Sequence, residues 1–287
     1  MYALSVGSAF GSGLFKSTDN GTNWSRVWEY QGGLNCLYVE QNNNIYIGLQ
    51  YSGGQGGVFK SSNGGVSWSN IFSNAANVYS IIKALNGTLL IAVYESGFAK
   101  IYRSSNEGVN WDSYSFGINF SPTDFAISTN GNIFLSTAGY GIYKSIDNGV
   151  SWNISAPVGW DYSSLYLNGN NIYAGTRGNW VYRSTDLGIT WNLINSGMGQ
   201  DNYILSLEGN SSGFLFAGMD YFGIYRSVNQ VLSIIEDEIS VKDFILYQKL
   251  SQPIQSLNHN SLLNRASFSS DTEYLRYAWQ RICNTCK

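Results

Sequence analysis

The side chains able to do chemistry are few and unevenly placed. The single histidine, His259, and two of the three cysteines, Cys283 and Cys286, fall within residues 249–287. The first 248 residues hold no histidine and one cysteine, Cys36. That excludes Ser-His-Asp and Cys-His nucleophilic chemistry there, a zinc site built from His or Cys, and a disulfide framework. Cys283-Asn284-Thr285-Cys286 is a CxxC without the second pair a zinc ribbon needs. No metal or cofactor is expected. What remains is carboxylates and aromatic rings. Glu29, Glu95, Asp161, Asp201 and Asp220 fall on loops, and a suitably spaced pair of carboxylates is what glycoside hydrolysis uses. The same loops carry Tyr30, Tyr51, Tyr94, Phe98 and Phe116, then Tyr140, Trp160, Tyr162, Tyr221 and Phe222. Exposed rings of this kind stack on sugars or anchor peptides. Trp160, Asp161 and Tyr162, with Tyr140, Tyr51 and Tyr221, form the candidate ligand-binding set; no residue is assigned a catalytic role.

A short repeat dictates the elements that position these residues. Ser17-Thr18-Asp19-Asn20-Gly21-Thr22-Asn23-Trp24 recurs as Ser61…Asn63…Gly65…Trp68, Ser104…Asn106…Gly108…Trp111, Ser145…Asp147…Gly149…Trp152 and Ser184…Asp186…Gly188…Trp191. A sixth copy, Ser227-Val228-Asn229-Gln230, lacks the Gly and the Trp, and the six serines are separated by 44, 43, 41, 39 and 43 residues. The pattern is that of a turn: Asp or Asn accepts from backbone N–H groups two residues on, Gly supplies a positive φ, and Trp opens the next strand and buries its ring. An apolar run such as Gly141-Ile142-Tyr143-Lys144 precedes each copy, so each copy joins two strands of a hairpin. Asn86-Gly87, Asn130-Gly131 and Asn168-Gly169 mark a second turn per repeat. Four short strands every 40 residues or so are the signature of a propeller blade. The expectation is an all-β propeller of about six four-stranded blades, incomplete at both ends. The first blade begins at its second strand, Tyr2–Val6, and the last strand of the sixth falls at Val231–Ile235.

Composition agrees. Of 287 residues, 12% are charged, 15% are aromatic and 32 are Gly, with three Pro; such a chain is not disordered. No run reaches the roughly 18 apolar residues of a membrane span. A net charge of −3 gives no reason to expect nucleic acid. The start, Met1-Tyr2-Ala3-Leu4-Ser5-Val6, reads as a strand rather than a signal peptide.

The Ser-x-Asp/Asn-x-Gly-x-x-Trp element resembles the Asp-box, or bacterial neuraminidase repeat, of sialidase-like propellers, some glycoside hydrolases, sortilin-type receptors and photosystem II assembly factors. The resemblance covers residues 1–230 and implies a fold rather than an activity. It implies that Ser17, Asp19, Gly21 and Trp24 and their counterparts in the other four copies are structural and lie away from the ligand face. Sialidase chemistry needs three arginines on the substrate carboxylate. Arg103, Arg183 and Arg226 each precede a box serine, a position that Lys16, Lys60 and Lys144 hold in other copies, so they read as a repeat position; only Arg26 and Arg177 remain elsewhere in the propeller.

Residues 1–232 are thus expected to be the propeller, 233–248 a linker and 249–287 an irregular tail. Residues 1–248 carry 11 basic and 17 acidic side chains, whereas 249–287 carry five and two. Phe244-Ile245-Leu246-Tyr247-Gln248 resembles the run into the C-terminal sorting domain of type IX secretion cargo. Removing one base from a back-translation at Lys249 restores the Q-N-Y-P-N-P-F-N-P of such domains, and the same frame over Glu273–Lys287 gives Y-D-M-L-G-R-E. The tail is therefore expected to be an out-of-frame remnant, and the parent protein extracellular or on the cell surface. Near-identical repeats and scarce acids favour a monomeric, non-catalytic propeller that binds a glycan or protein ligand through its loop face. The alternative is a carbohydrate-active glycoside hydrolase of the same superfamily using a pair of loop carboxylates.

Overall fold

Each repeat folds into one antiparallel sheet whose strands pair in chain order. The computed structural model describes residues 1–5, 12–19, 21–198, 203–209, 213–219 and 224–227, and the backbone of 244–248. Sheet 1 has three strands, β1 (Tyr2–Ser5), β2 (Ser12–Lys16) and β3 (Ser25–Tyr30). Sheet 2 comprises β4 (Leu34–Val39), β5 (Ile45–Leu49), β6 (Val58–Ser61) and β7 (Ser69–Phe72). Sheet 3 comprises β8 (Ala76–Lys83), β9 (Leu89–Glu95), β10 (Phe98–Ser104) and β11 (Asp112–Ser115). Sheet 4 comprises β12 (Pro122–Ile127), β13 (Ile133–Thr137), β14 (Ile142–Ser145) and β15 (Asn153–Ala156). Sheet 5 comprises β16 (Tyr162–Asn168), β17 (Asn171–Thr176), β18 (Val181–Ser184) and β19 (Asn192–Ile194). Sheet 6 comprises β20 (Ile204–Gly209), β21 (Leu215–Met219), β22 (Ile224–Ser227) and β23 (Phe244–Gln248). There is no helix among the described residues.

The first strands of successive sheets lie side by side, β4 on β8, β8 on β12, β12 on β16 and β16 on β20. They form the inner layer of a β-propeller. Both faces of sheets 2 to 5 are covered by their neighbours, so second strands such as Ile45–Leu49 and Leu89–Val93 are buried without alternation. Apolar side chains collect in five clusters, one between each pair of consecutive sheets. The five-residue connections 84–88 and 128–132 place Gly87 and Gly131 at φ 88° and 86°, as the turn signal requires.

The repeated turns join the third and fourth strands and share one hydrogen-bond scheme. Ser145 Oγ donates to Asp147 Oδ1 at 2.7 Å and accepts from the backbone N–H groups of Gly149 at 2.8 Å and Asp147 at 3.4 Å. The carboxylate reaches further than a two-residue Asx-turn: Asp147 Oδ1 accepts from the N–H of Ser151, four residues on, at 2.9 Å. Asp19, Asn63, Asn106 and Asp186 do the same to Asn23, Ser67, Asn110 and Thr190. Gly21, Gly65, Gly108, Gly149 and Gly188 have φ between 81° and 94°. The residue before them is also left-handed at Gly64, Glu107, Asn148 and Leu187. The Trp ring folds back over the turn, with Trp24, Trp68, Trp111 and Trp152 each donating Nε1–H to the carbonyl of its own box glycine. Trp152 is buried, and the other four rings are only half-buried.

Two expectations about chain organisation are answered. In sheet 1 the repeated turn follows β2, so β1 and β2 correspond to the second and third strands of the other sheets. The outer strand of sheet 6, however, is Phe244–Gln248, from the stretch expected to be linker, paired with β22 through Ser227↔Phe244 and Ile224↔Gln248. The edge of β22 carries unpaired N–H and C=O groups, and this β-prone segment satisfies them. Val231–Ile235 and the tail 249–287, with His259, Cys283 and Cys286, lie outside the described residues. Cys36 is a buried thiol that donates to Val78 O at 3.6 Å inside the cluster between sheets 2 and 3.

Candidate ligand-binding face

Because the repeated turns all connect third to fourth strands, they share one end of the strands. The opposite end carries the loops from second to third strands and from each sheet to the next. A chain of backbone contacts ties this loop face together. Ala138 N–H donates to Ser121 at 3.0 Å, Ala138 bridges Asp161, Arg177 N–H donates to Asp161 at 2.8 Å, and Arg177 bridges Tyr203. The contacts alternate within and between sheets 4, 5 and 6, so the inner rim is fixed by the main chain.

The expected ligand set does not converge. Tyr162 is completely buried in the cluster between sheets 4 and 5. Its ring meets Tyr182 edge-on at 6.3 Å, and burial pushes its hydroxyl well above the ordinary value. It is a core residue, not a ligand contact. The reason is a β-bulge: Tyr162 opposes Thr176 and Ser164 opposes Gly175, so Ser163 is an inserted residue that breaks the alternation of β16. Trp160 is half-buried, 6.3 Å from Tyr182 in a parallel stack. Asp161 pairs with Arg177, Oδ2 to Nη1 at 3.5 Å, with both side chains about one-third exposed, a contact worth ~0–1 kcal/mol. Tyr140, 39% exposed, stacks on buried Phe120 at 5.4 Å. Tyr51, 42% exposed, stands on sheet 2 with its N–H on Asn77 Oδ1. Tyr221, Phe222, Asp201 and Asp220 lie outside the described residues. Of the remaining rings, Tyr94 donates to Asn119, Phe98 is exposed, and Phe116 packs among Tyr114, Phe120 and Tyr143.

Glu29 and Glu95 are held by cations and donors, whereas Asp161 is paired through Oδ2 alone, with Oδ1 buried and unpartnered. Glu29 pairs with Arg26 on its own strand at 2.9 Å. Glu95 accepts from Asn74 Nδ2 at 2.9 Å, Tyr102 Oη at 2.6 Å and Lys100 Nζ at 3.0 Å. Burial pushes the Glu95 carboxyl up, but these three donors outweigh it and hold it below the ordinary value. That is the wrong direction for a general acid. No cluster of three or more His, Cys, Asp or Glu that could hold a metal exists among the described residues.

The three arginines compared above with a carboxylate clamp lie at the turn end of the strands. In five of the six copies the cation before the box serine covers an aromatic ring of its own blade: Lys16 over Tyr2, Lys60 over Tyr46, Lys144 over Phe134, Arg183 over Tyr173 and Arg226 over Phe214, at 4.7–5.9 Å. It then reaches the turn of the following blade. Lys60 binds the Glu107 carboxylate at 2.8 Å, Arg103 Nε donates to Asn148 O at 2.9 Å, and Lys144 donates to Leu187 O at 2.9 Å. Those three acceptors are the left-handed residues of the turns. This is a blade-to-blade staple, not a substrate grip.

One feature of the loop face was not legible from sequence: a cleft of about 530 Å³ over the outer strands of sheet 2. Tyr30 from β3 closes one side, Phe59 and Asn70 from β6 and β7 form the base, and Gln55 and Asn74 lie on flanking loops. Tyr30 Oη donates to Gln55 Oε1 at 3.0 Å, and its ring stacks on Trp28 at 5.3 Å, which stacks on Trp68 at 4.7 Å. The wall at Gln55 is a two-residue hairpin, with Ser52 and Gln55 exchanging N–H···O bonds at 3.0 Å around Gly53 and Gly54 at φ 60° and 85°. Gly57 behind it has φ 116°, and a Cβ there would lie 1.8 Å from Phe72 O, so only glycine fits. The run of four glycines over 53–57 was the one sequence signal available.

No protein-family model matches the chain, and no curated protein matches it. Solved structures do. An ancestral GH74 enzyme superposes with a TM-score of 0.59 at 22% identity, over 79% of this chain and 36% of that one. The GH74 xyloglucanase from Xanthomonas campestris gives 0.66 at 14% identity, over 85% and 44%. YCF48 bound to D1 peptide gives 0.55 at 14% identity, over 72% and 69%. The chain spans less than half the length of the two GH74 structures. At these identities the likeness establishes the β-propeller fold alone.

Proposed function

We propose that this chain is a non-catalytic, monomeric propeller of the Asp-box type that binds a glycan or protein ligand through the face opposite its repeated turns. The observation that carries the reading is the state of the loop-face acids. Glu29, Glu95 and Asp161 are each committed to a cation of their own blade, and the most buried of them is shifted toward stronger acidity. Hydrolysis of a glycosidic bond needs one carboxyl kept protonated opposite a second, ionised one. Exposed Tyr51, Phe98 and Tyr140 on the same face are contact surface of the kind binding modules use.

The likeness to GH74 structures favours a second reading, a glycoside hydrolase. Release of reducing ends from xyloglucan and β-glucans decides between them. No release above a heat-treated control, with retention of the chain on an immobilised glycan or peptide, is the expected result. Release that Glu95→Gln or Asp161→Asn abolishes would make the protein an enzyme.

Export also belongs to this proposal. The run at Phe244–Gln248 and the restorable frame behind it support a parent carried out of the cell by type IX secretion. Sequencing the source DNA across codon 249 tests it, an extra adenine being the expected finding and a clean frame the opposing one.

A further inference from the structure

We infer that the cleft over sheet 2 is a subsite for a short neutral saccharide; the inference rests on the binding reading above and names its ligand class. Four observations converge. First, the lining contains no charged side chain. An ionic ligand entering a cleft without a counter-charge would lose hydration with nothing in return, which disfavours sialic or uronic acids and acidic or basic peptides. Second, the polar side chains of the lining are neutral, the carboxamides of Gln55, Asn70 and Asn74 and the hydroxyls of Ser73 and Tyr30. Asn74 is bonded through both its groups, so the Ser73 hydroxyl and the amide N–H groups of Gln55 and Asn70 are the ones that suit sugar hydroxyls. Third, the apolar lining includes two aromatic rings, Tyr30 and Phe59, with centroids 5.6 Å apart and planes at 61°. One ring can lie under the C–H face of a pyranose while the other meets its edge. Fourth, the volume of about 530 Å³ falls within the ~300–1,000 Å³ of small-molecule sites.

The cleft is also held in shape. Tyr30 is fixed by its stack on Trp28 and its bond to Gln55. Asn74 is fixed by Glu95 and Tyr102 through Nδ2, and by the Ala75 N–H on Oδ1. This gives the clamped Glu95 a role without chemistry: it orients an amide at the cleft wall from the neighbouring blade. Residues already ordered need not be immobilised on binding, which removes an entropic cost of roughly 0.5–1.5 kcal/mol per side chain.

The experiment uses the full chain and neutral hexasaccharides of gluco, manno, xylo and galacto configuration, with sialyllactose as the anionic probe, followed by calorimetry. Ala75→Trp fills the cleft from an exposed position without removing any packed side chain. Leu193→Ala alters an exposed side chain of sheet 5. Circular dichroism and melting temperature confirm that both fold. The expected result is binding of at least one neutral probe, weakened about tenfold or more by Ala75→Trp and unchanged by Leu193→Ala, with no binding of sialyllactose. A neutral probe that binds equally to the Ala75→Trp variant would sink the subsite while leaving the loop face as the binding surface. Binding of sialyllactose alone, or of no saccharide, would overturn the inference; retention on an immobilised peptide array would then preserve the wider reading, and its absence would remove that too.

Discussion

Replacing Ser145 by Ala tests the physics of the repeated turn, because the same change at Ser104 is its internal control. Ser145 Oγ donates to an ionised carboxylate, Asp147, at 2.7 Å and accepts from the buried N–H of Gly149 at 2.8 Å. A hydrogen bond to a charged group contributes ~1.5–3 kcal/mol, and a buried N–H left without a partner costs ~1–3 kcal/mol. The carboxylate keeps other donors, so the lower end of the first range applies, and the sum is about 2.5–4.5 kcal/mol. In the third copy, Ser104 donates to neutral Asn106 at 2.9 Å, and the Gly108 N–H is only part-buried. Water can replace the hydroxyl there, so Ser104→Ala is expected to cost ~1 kcal/mol. Urea unfolding followed by tryptophan fluorescence reads both, a loss of ~3 kcal/mol moving the midpoint by roughly 1 M for a slope near 3 kcal/mol/M. Equal midpoints for the two variants, or a loss below ~0.5 kcal/mol at Ser145, would refute the claim that serine is the hub of the turn.

Four further outcomes are expected. Asn23 holds Asp19 near a pKa of about 2, and donors from Ser151 and Thr190 outweigh desolvation to do the same for Asp147 and Asp186. Their contribution is full above the ordinary value of 3.8 and is lost as pH falls through about 2; Asp147→Asn, whose geometry Asn63 already adopts with Nδ2 on Ser67 Oγ at 2.8 Å, should flatten that acid limb of stability against pH by lowering stability at neutral pH. Gly57→Ala should destabilise by more than ~3 kcal/mol because of the clash with Phe72 O, whereas Gly97→Ala, also at positive φ but with open space around it, should cost ~1 kcal/mol in the same urea assay. Lys144→Ala removes the reach to Leu187 and the contact over Phe134; a loss of ~1–2 kcal/mol with broader thermal unfolding is expected by calorimetry. Tyr162→Ala should cost ~3–5 kcal/mol as a core truncation, while Trp160→Ala folds normally, so near-UV dichroism separates the two.

The repeat made the architecture readable because its serine, acid, glycine and tryptophan mark the same turn five times. The chemistry inside the turn was read less well: the two-residue step belongs to the serine, and the acid reaches four residues on. Tyr162 was read as a loop residue, whereas it is the first residue of β16 and lies in the core; the bulge at Ser163 hides that start from a two-residue alternation. Phe244–Gln248 was read as linker because no repeated turn leads into it, although its composition suits a strand. The cleft was invisible for a different reason. Tyr30, Gln55, Phe59, Asn70 and Asn74 are 44 residues apart end to end and meet only because two sheets face each other.

The staples run in one direction along the chain. Lys60, Arg103 and Lys144 each await a turn that lies roughly 43–47 residues downstream, so a nascent chain cannot lock one blade until the ribosome has delivered the next turn. Vectorial synthesis would then lace sheets 2 to 5 in chain order, each staple closing only once the turn of the following blade has been made.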